Sequence, residues 1–254
     1  DIVLASVRSN GQSLRWASRR LKNDREVVTT AVYNDGRALE YASDEWKQDK
    51  STVYLAVNQG CPLHVCPLFG DDEEIVRLAV RHNGMQLSYA SNELRNNKNL
   101  VKTAVKNNGM ALKYASDELK EDQDVVQEAL KNNGEALECA SENLQNDWDF
   151  VLSTLPSNPE TLKHVPHQFR ALREYMIEAV STNPTALRFA PDELRNDKDF
   201  VYHAMKKDCS VLDHASIRLQ TDRDLLQYRN NRSLELQQSD SEAANGIGKC
   251  HLFS

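Results

Sequence analysis

Residues 101–126, VKTAVKNNGMALKYASDELKEDQDVV, decide how the rest of the chain is read. Nearly the same string returns at once as VQEALKNNGEALECASENLQNDWDFV (126–151) and again as MIEAVSTNPTALRFAPDELRNDKDFV (176–201). The turn of this template falls at Gly109, Gly134 and Pro184. Extended both ways, it recurs at Gly11, Gly36, Gly60, Gly84, Pro159 and Cys209, giving nine copies spaced by 24 or 25 residues. Self-similarity at a constant period marks a repeat architecture.

Each slot of the template has a physical reason. An Asp closes the polar linker in most copies (Asp24, Asp49, Asp122, Asp147, Asp197, Asp222). It is placed to N-cap a longer helix, with an acid two residues on favouring the helix's positive end. Pairs such as Val125/Val126 and Ala129/Leu130 then make one apolar stripe along that helix. Asn or Asp precedes the turn in eight copies. Because Pro159 and Pro184 share the glycine position, and proline cannot take a positive φ, the Asn reads as the N-cap of a second, short helix. That helix carries a leucine (Leu39, Leu87, Leu112, Leu137, Leu187) and then an aromatic followed by a small residue: Tyr41-Ala42, Tyr89-Ala90, Tyr114-Ala115 and Phe189-Ala190. These residues are the expected repeat core. Ser116, Pro67, Pro166 and Pro191 end the short helix, and the Asp-Glu-Leu that follows reads as one turn of α or 3₁₀ helix, expected as a 3₁₀-like turn.

A unit of this size cannot bury its apolar face alone, so neighbouring units must cover one another. The fold class expected is therefore all-α: an α-solenoid of about nine tandem repeats over residues 1–232, stacked into an elongated superhelix. Residues 233–254 are polar, with Gly and Ser, and are expected to form a flexible C-terminal tail. Arg229 stands where the template has alanine, as in a polar terminal cap. Asp1 falls just inside the first long helix, which leads to the expectation that the native protein continues upstream.

The unit AVKNNGMALKYASDELKEDQDVV is similar to the tandem helical repeats catalogued as domain of unknown function 4116, and the likeness covers about residues 2–230. The form NPTALRFAPDEL also resembles, more weakly, the leucine-rich repeat variant, whose alternating α and 3₁₀ helices stack into a right-handed superhelix. Either resemblance implies architecture; the first family brings no general biochemical activity to particular residues. Departures from the pattern are the shortened units around Gly60, Leu172 in the cap position and Cys209 at the last turn.

Composition narrows the function classes. Of 254 residues, 40% are hydrophobic and 27% charged, and the net charge is −7 with the signs interspersed, which argues against nucleic acid as a partner. No apolar run is long enough for a transmembrane segment. Five scattered cysteines in a chain with ample core residues favour a reducing compartment, the cytoplasm or an organelle interior, over a disulfide scaffold. No phosphate loop, nucleophile elbow or metalloprotease helix is present, and no cofactor is expected.

The stretch GCPLHVCPLFG (60–70) is the one that looks chemical. Cys61, His64 and Asp71 are candidate metal ligands, yet on the template Cys66 takes the small core position while Cys61 and His64 fall on exposed, variable ones. A closed zinc site needs four ligands, so the stretch reads first as a degenerate repeat. His164 and His214 fall in the aromatic position, and His82 and His203 on polar faces of long helices. Glu45, Glu93, Glu118 and Glu193 recur at one position, either as helix-start electrostatics or as an acidic stripe for a basic partner. The function expected is a non-catalytic protein–protein interaction scaffold, or a structural subunit of a larger assembly, its partner unnamed. The alternative is a C-terminal substrate-recognition arm of a larger enzyme whose catalytic domain lies upstream.

Overall fold

The structure, a computed structural model, describes residues 2–247, with side chains for residues 2–235. All regular structure among the described residues is helical. The chain forms two compact units, one ending at Gln145 and the other beginning at Asn146.

In the first unit the template becomes three consecutive segments. A long α-helix (Lys98–Asn107) leads to a six-residue 3₁₀ helix (Gly109–Tyr114) and then to a short α-helix (Asp117–Glu121). The pattern continues with Gln123–Asn132, Gly134–Cys139 and Glu142–Gln145. Long helices pack on the long helices of the next repeat, and 3₁₀ helices on 3₁₀ helices. The second unit repeats the arrangement. Its long helices are Trp148–Thr154, Arg173–Thr182 and Lys198–Met205, and its 3₁₀ helices are Pro159–Lys163, Pro184–Phe189 and Cys209–His214.

Both capping expectations describe the local structure. Asp122 accepts from the Val125 N–H at 3.1 Å and Asp197 from the Phe200 N–H at 2.9 Å, each satisfying an orphan donor of a long helix. Asn108, in extended backbone at φ −149°, accepts from the Met110 N–H at 3.0 Å, and Asn183 does the same for Thr185 ahead of Pro184. Leu172 makes no such bond and stands as the uncapped exception.

Three details differ from the sequence reading. The 3₁₀ geometry lies in the second segment, while the third is a turn of α-helix, closed by Lys120 N–H to Ser116 O at 3.0 Å. The three-residue period of a 3₁₀ helix also moves the aromatic out of the core. Gly36, Leu39 and Ala42, three apart, share the buried face; Arg37 and Glu40 face outward. Tyr41 stands between these faces. Thus Leu39, Leu87, Leu112, Leu137 and Leu187 are completely buried, and Ala42, Ala90, Ala115 and Ala190 nearly so. By contrast Tyr41, Tyr114 and Phe189 are half-buried and Tyr89 is 46% exposed. Finally, the last helix spans Arg223–Ile247, so residues 233–247, assigned to a flexible tail, have helical backbone. Residues 248–254 lie outside the described ones.

The long-helix stripe fills the interior as expected: Val125, Val126, Ala129 and Leu130 are buried, as are Phe200, Val201, Ala204 and Met205. No helix among the described residues is long and apolar enough to cross a membrane.

Candidate functional site

Polar side chains that recur in the template link one repeat to the next. An Asn two places before the turn glycine reaches back one repeat. Asn132 Oδ1 accepts from the Gly109 N–H at 2.7 Å while its Nδ2 donates to the Lys106 carbonyl at 3.1 Å. Asn107 bridges Gly84 and Arg81 in the same way, and Asn34 bridges Gly11 and Arg8. The sequence reading missed this amide staple, although its signal was present. Where proline replaces glycine and removes the N–H, the next repeat carries Thr182 (after Pro159) or Lys207 (after Pro184) in place of the amide.

A second link joins the end of one short helix to the start of the next. Ser116 Oγ donates to Asn96 Oδ1 at 2.6 Å, and Asn96 Nδ2 donates to Glu118 at 3.0 Å; Ser216 and Asn196 repeat the first contact at 2.7 Å. Glu45 accepts in the same way from Asn23. Glu45 and Glu118 of the recurring acidic position therefore hold neighbours together. Glu93 and Glu193 follow Asp71 and Ala171, which offer no amide.

The third link is ionic. Lys98 contacts Asp122 at 2.7 Å and Asp124 at 3.1 Å, Lys198 contacts Asp222 and Asp224, and Lys50 contacts Asp72 at 2.6 Å. Partial burial pushes the Asp122 carboxyl up, but the Lys98 ammonium and the Val125 N–H outweigh it and hold the group below its ordinary value. The Asp222 carboxyl is lowered chiefly by Lys198. Where Leu172 replaces the acid, the facing position holds Trp148 in place of lysine. Its ring stacks 6.1 Å from Phe169 and lies 5.0 Å from Tyr175, and its indole N–H donates to Glu178 at 2.8 Å.

The cysteine stretch proves to be a helix terminus. Gly60, at φ 84°, ends Lys50–Asn58 in a left-handed turn. Cys61 N–H returns to the Ala56 carbonyl at 2.9 Å and Gly60 N–H to Val57 at 2.9 Å, the paired bonds of a Schellman motif. This turn carries Cys61 inward: expected to be exposed, it is buried, as is Cys66. Burial pushes the Cys61 thiol up to about 12 and the Cys66 thiol up to about 11, leaving both protonated and weakly reactive near neutral pH. His64 is exposed and its ring lies 5.8 Å from that of Tyr89. Cys61 and His64 do line one cavity, with Arg37, Glu40, His82 and Gln86, but Asp71 is not among its walls. Among the described residues no group of three or more His, Cys, Asp or Glu side chains is arranged to hold a metal ion.

Of the other histidines, His164 and His214 are half-buried, and the exposed His203 meets the half-buried Ser181 of the neighbouring long helix at 2.9 Å. Lys207 donates to the Ser181 carbonyl beside them. The pair is one more link between repeats.

A three-segment helical unit, joined to its neighbours by amide, hydroxyl and ionic contacts at one-repeat spacing, defines a helical-repeat protein. The chain belongs to the family described as domain of unknown function (DUF4116), whose model matches residues 1–47, 72–120, 122–170 and 173–220. The gap between the first two matches contains the irregular unit around Gly60. No curated protein and no solved structure matches the chain.

Proposed function

We propose that the chain is a non-catalytic scaffold whose repeats present a surface to a protein partner. One observation carries this reading: chemistry varies from repeat to repeat on the outward ridge of the 3₁₀ helices while the backbone beneath it stays the same. That ridge holds Arg37 and Glu40 in one repeat, Met110 and Lys113 in another, and Glu135 and Glu138 in a third. The recurring Asn, Ser, Lys and Asp side chains are already committed to inter-repeat contacts. A regular framework with a varied face is how repeat proteins recognise other polypeptides.

The test is affinity capture with the full chain from its native source, followed by reconstitution with purified components. A protein recovered in constant stoichiometry that rebinds the purified chain is the expected result. Turnover of a small molecule by the purified chain, with no protein retained, overturns the reading.

A further inference from the structure

The irregular unit leaves space where the template fills it. At the turn glycines Gly11, Gly36, Gly84 and Gly109 a Cβ would stand 2.1 to 2.5 Å from an alanine carbonyl oxygen of the following repeat, whereas at Gly60 nothing lies within 4 Å of that point. The left-handed turn spends the Gly60 and Cys61 N–H groups on the Val57 and Ala56 carbonyls. The 3₁₀ helix that follows is therefore reduced to Leu63–Val65, three residues where Gly109–Tyr114 has six. His82 stands where Asn34, Asn107 and Asn132 carry the staple amide, and it has no glycine N–H to hold. The missing half-helix leaves a cleft of about 540 Å³ walled by Arg37, Glu40, Cys61, His64, His82 and Gln86.

Two opposite charges face this cleft without meeting. Arg37 and Glu40 lie three apart on the outward ridge of Gly36–Tyr41. Among the described residues no ion pair joins them and neither side chain has another partner. Asp35 is already committed, accepting from Gln12 Nε2 at 2.7 Å and from the Arg37 backbone N–H at 2.9 Å. Beyond burial and the neighbouring Cys66, the charges of Asp35, Glu40 and Arg37 are all felt at the Cys61 thiol, which sets both side chains over one floor. His64 and His82 add two imidazoles. Gln86 is fixed at its Oε1, which accepts from the Leu63 N–H at 2.8 Å, leaving its amide N–H groups unused. A cleft of this volume with a few convergent polar groups is of the size that holds small molecules.

We propose that this cleft binds a free α-amino acid, its carboxylate held by Arg37, its ammonium by Glu40, and a polar side chain by His64, His82 and Gln86. A guanidinium and a carboxylate presented together but unpaired complement a guest that carries both charges. A purely anionic guest would meet Glu40 and a purely cationic one Arg37, so each is disfavoured. The floor, residues 60–65, falls in the stretch that the family model leaves unmatched, which makes the site a property of the irregular unit and not of the template. It goes beyond the scaffold reading and does not depend on it.

The test is a thermal-shift screen of the full chain against the standard amino acids, followed by calorimetric titration of whichever raises the midpoint. A polar amino acid is expected to raise it by binding the folded form. Its analogue lacking the α-ammonium, and its α-amide lacking the carboxylate, should each bind about tenfold more weakly or worse. Arg37→Gln and Glu40→Gln should weaken binding of the parent amino acid by a similar factor. Both residues are exposed, so without ligand the two variants should keep the midpoint of the natural chain. A midpoint that no amino acid raises, an analogue that binds as well as its parent, or undiminished binding by either variant overturns the proposal. Amino-acid binding by a chain that captures no protein keeps this site and removes the scaffold; a captured partner without amino-acid binding does the reverse.

Discussion

Gly60 and Gly109 occupy the same template position for different reasons. At Gly109 the backbone needs no positive φ, but a Cβ would stand 2.5 Å from the Ala129 carbonyl oxygen of the next repeat. At Gly60 the space is open and φ is 84°. Gly60→Ala should therefore cost about 1 kcal/mol, and Gly60→Asn should recover most of that, because asparagine tolerates the left-handed region. Gly109→Ala should cost about 2–3 kcal/mol through overpacking, with no recovery in Gly109→Asn. Urea unfolding followed by circular dichroism distinguishes the two; recovery by asparagine at position 109 would show that the contact with Ala129 is not what requires glycine. The sequence pointed correctly to the Asn cap through Pro159 and Pro184, since proline excludes a positive φ. It misjudged Cys61 because Gln59 replaces the capping residue there, and the resulting left-handed turn redirects the next side chain.

Among the elements, the long helices and their ionic links set the pH response. Asp72, Asp122, Asp197 and Asp222 have carboxyl groups lowered in the fold. Each contributes stability above the unfolded carboxyl value of about 4, lost as pH falls through the lower folded value. Lys50, Lys98 and Lys198 are raised, chiefly by hydrogen bonds to the facing acids. Their contribution is fully present below the unfolded lysine value of about 10.4 and lost as pH rises through the higher folded value. The thermal midpoint should form a plateau between these limits, and Lys98→Met with Lys198→Met should flatten both shoulders. Unchanged shoulders in that double variant would show the links to be uncoupled from folding. Leu172, 52% exposed at a helix N-cap, gives the complementary test. Leu172→Asp should stabilise the second unit by about 0.5–2 kcal/mol by accepting an orphan N–H of the helix Arg173–Thr182. A lower unfolding midpoint would mean that the leucine contributes more than the missing cap. The caps were legible because donor and acceptor lie within three residues; the staples join residues 23 apart and required the repeats to be laid side by side.

For the whole molecule, one helical template is the organising element, matched four times by the family model between residues 1 and 220. By itself the sequence determined the helical repeat, its period, its capping residues and its leucine core, because these follow from patterns within one unit. Only the tertiary structure decided that the aromatic position faces half outward, that Cys61 turns inward, and that Asn132 secures Gly109 of the preceding repeat. Those outcomes depend on 3₁₀ periodicity, a left-handed turn and the close approach of neighbouring backbones, which arise only when one repeat is packed against another.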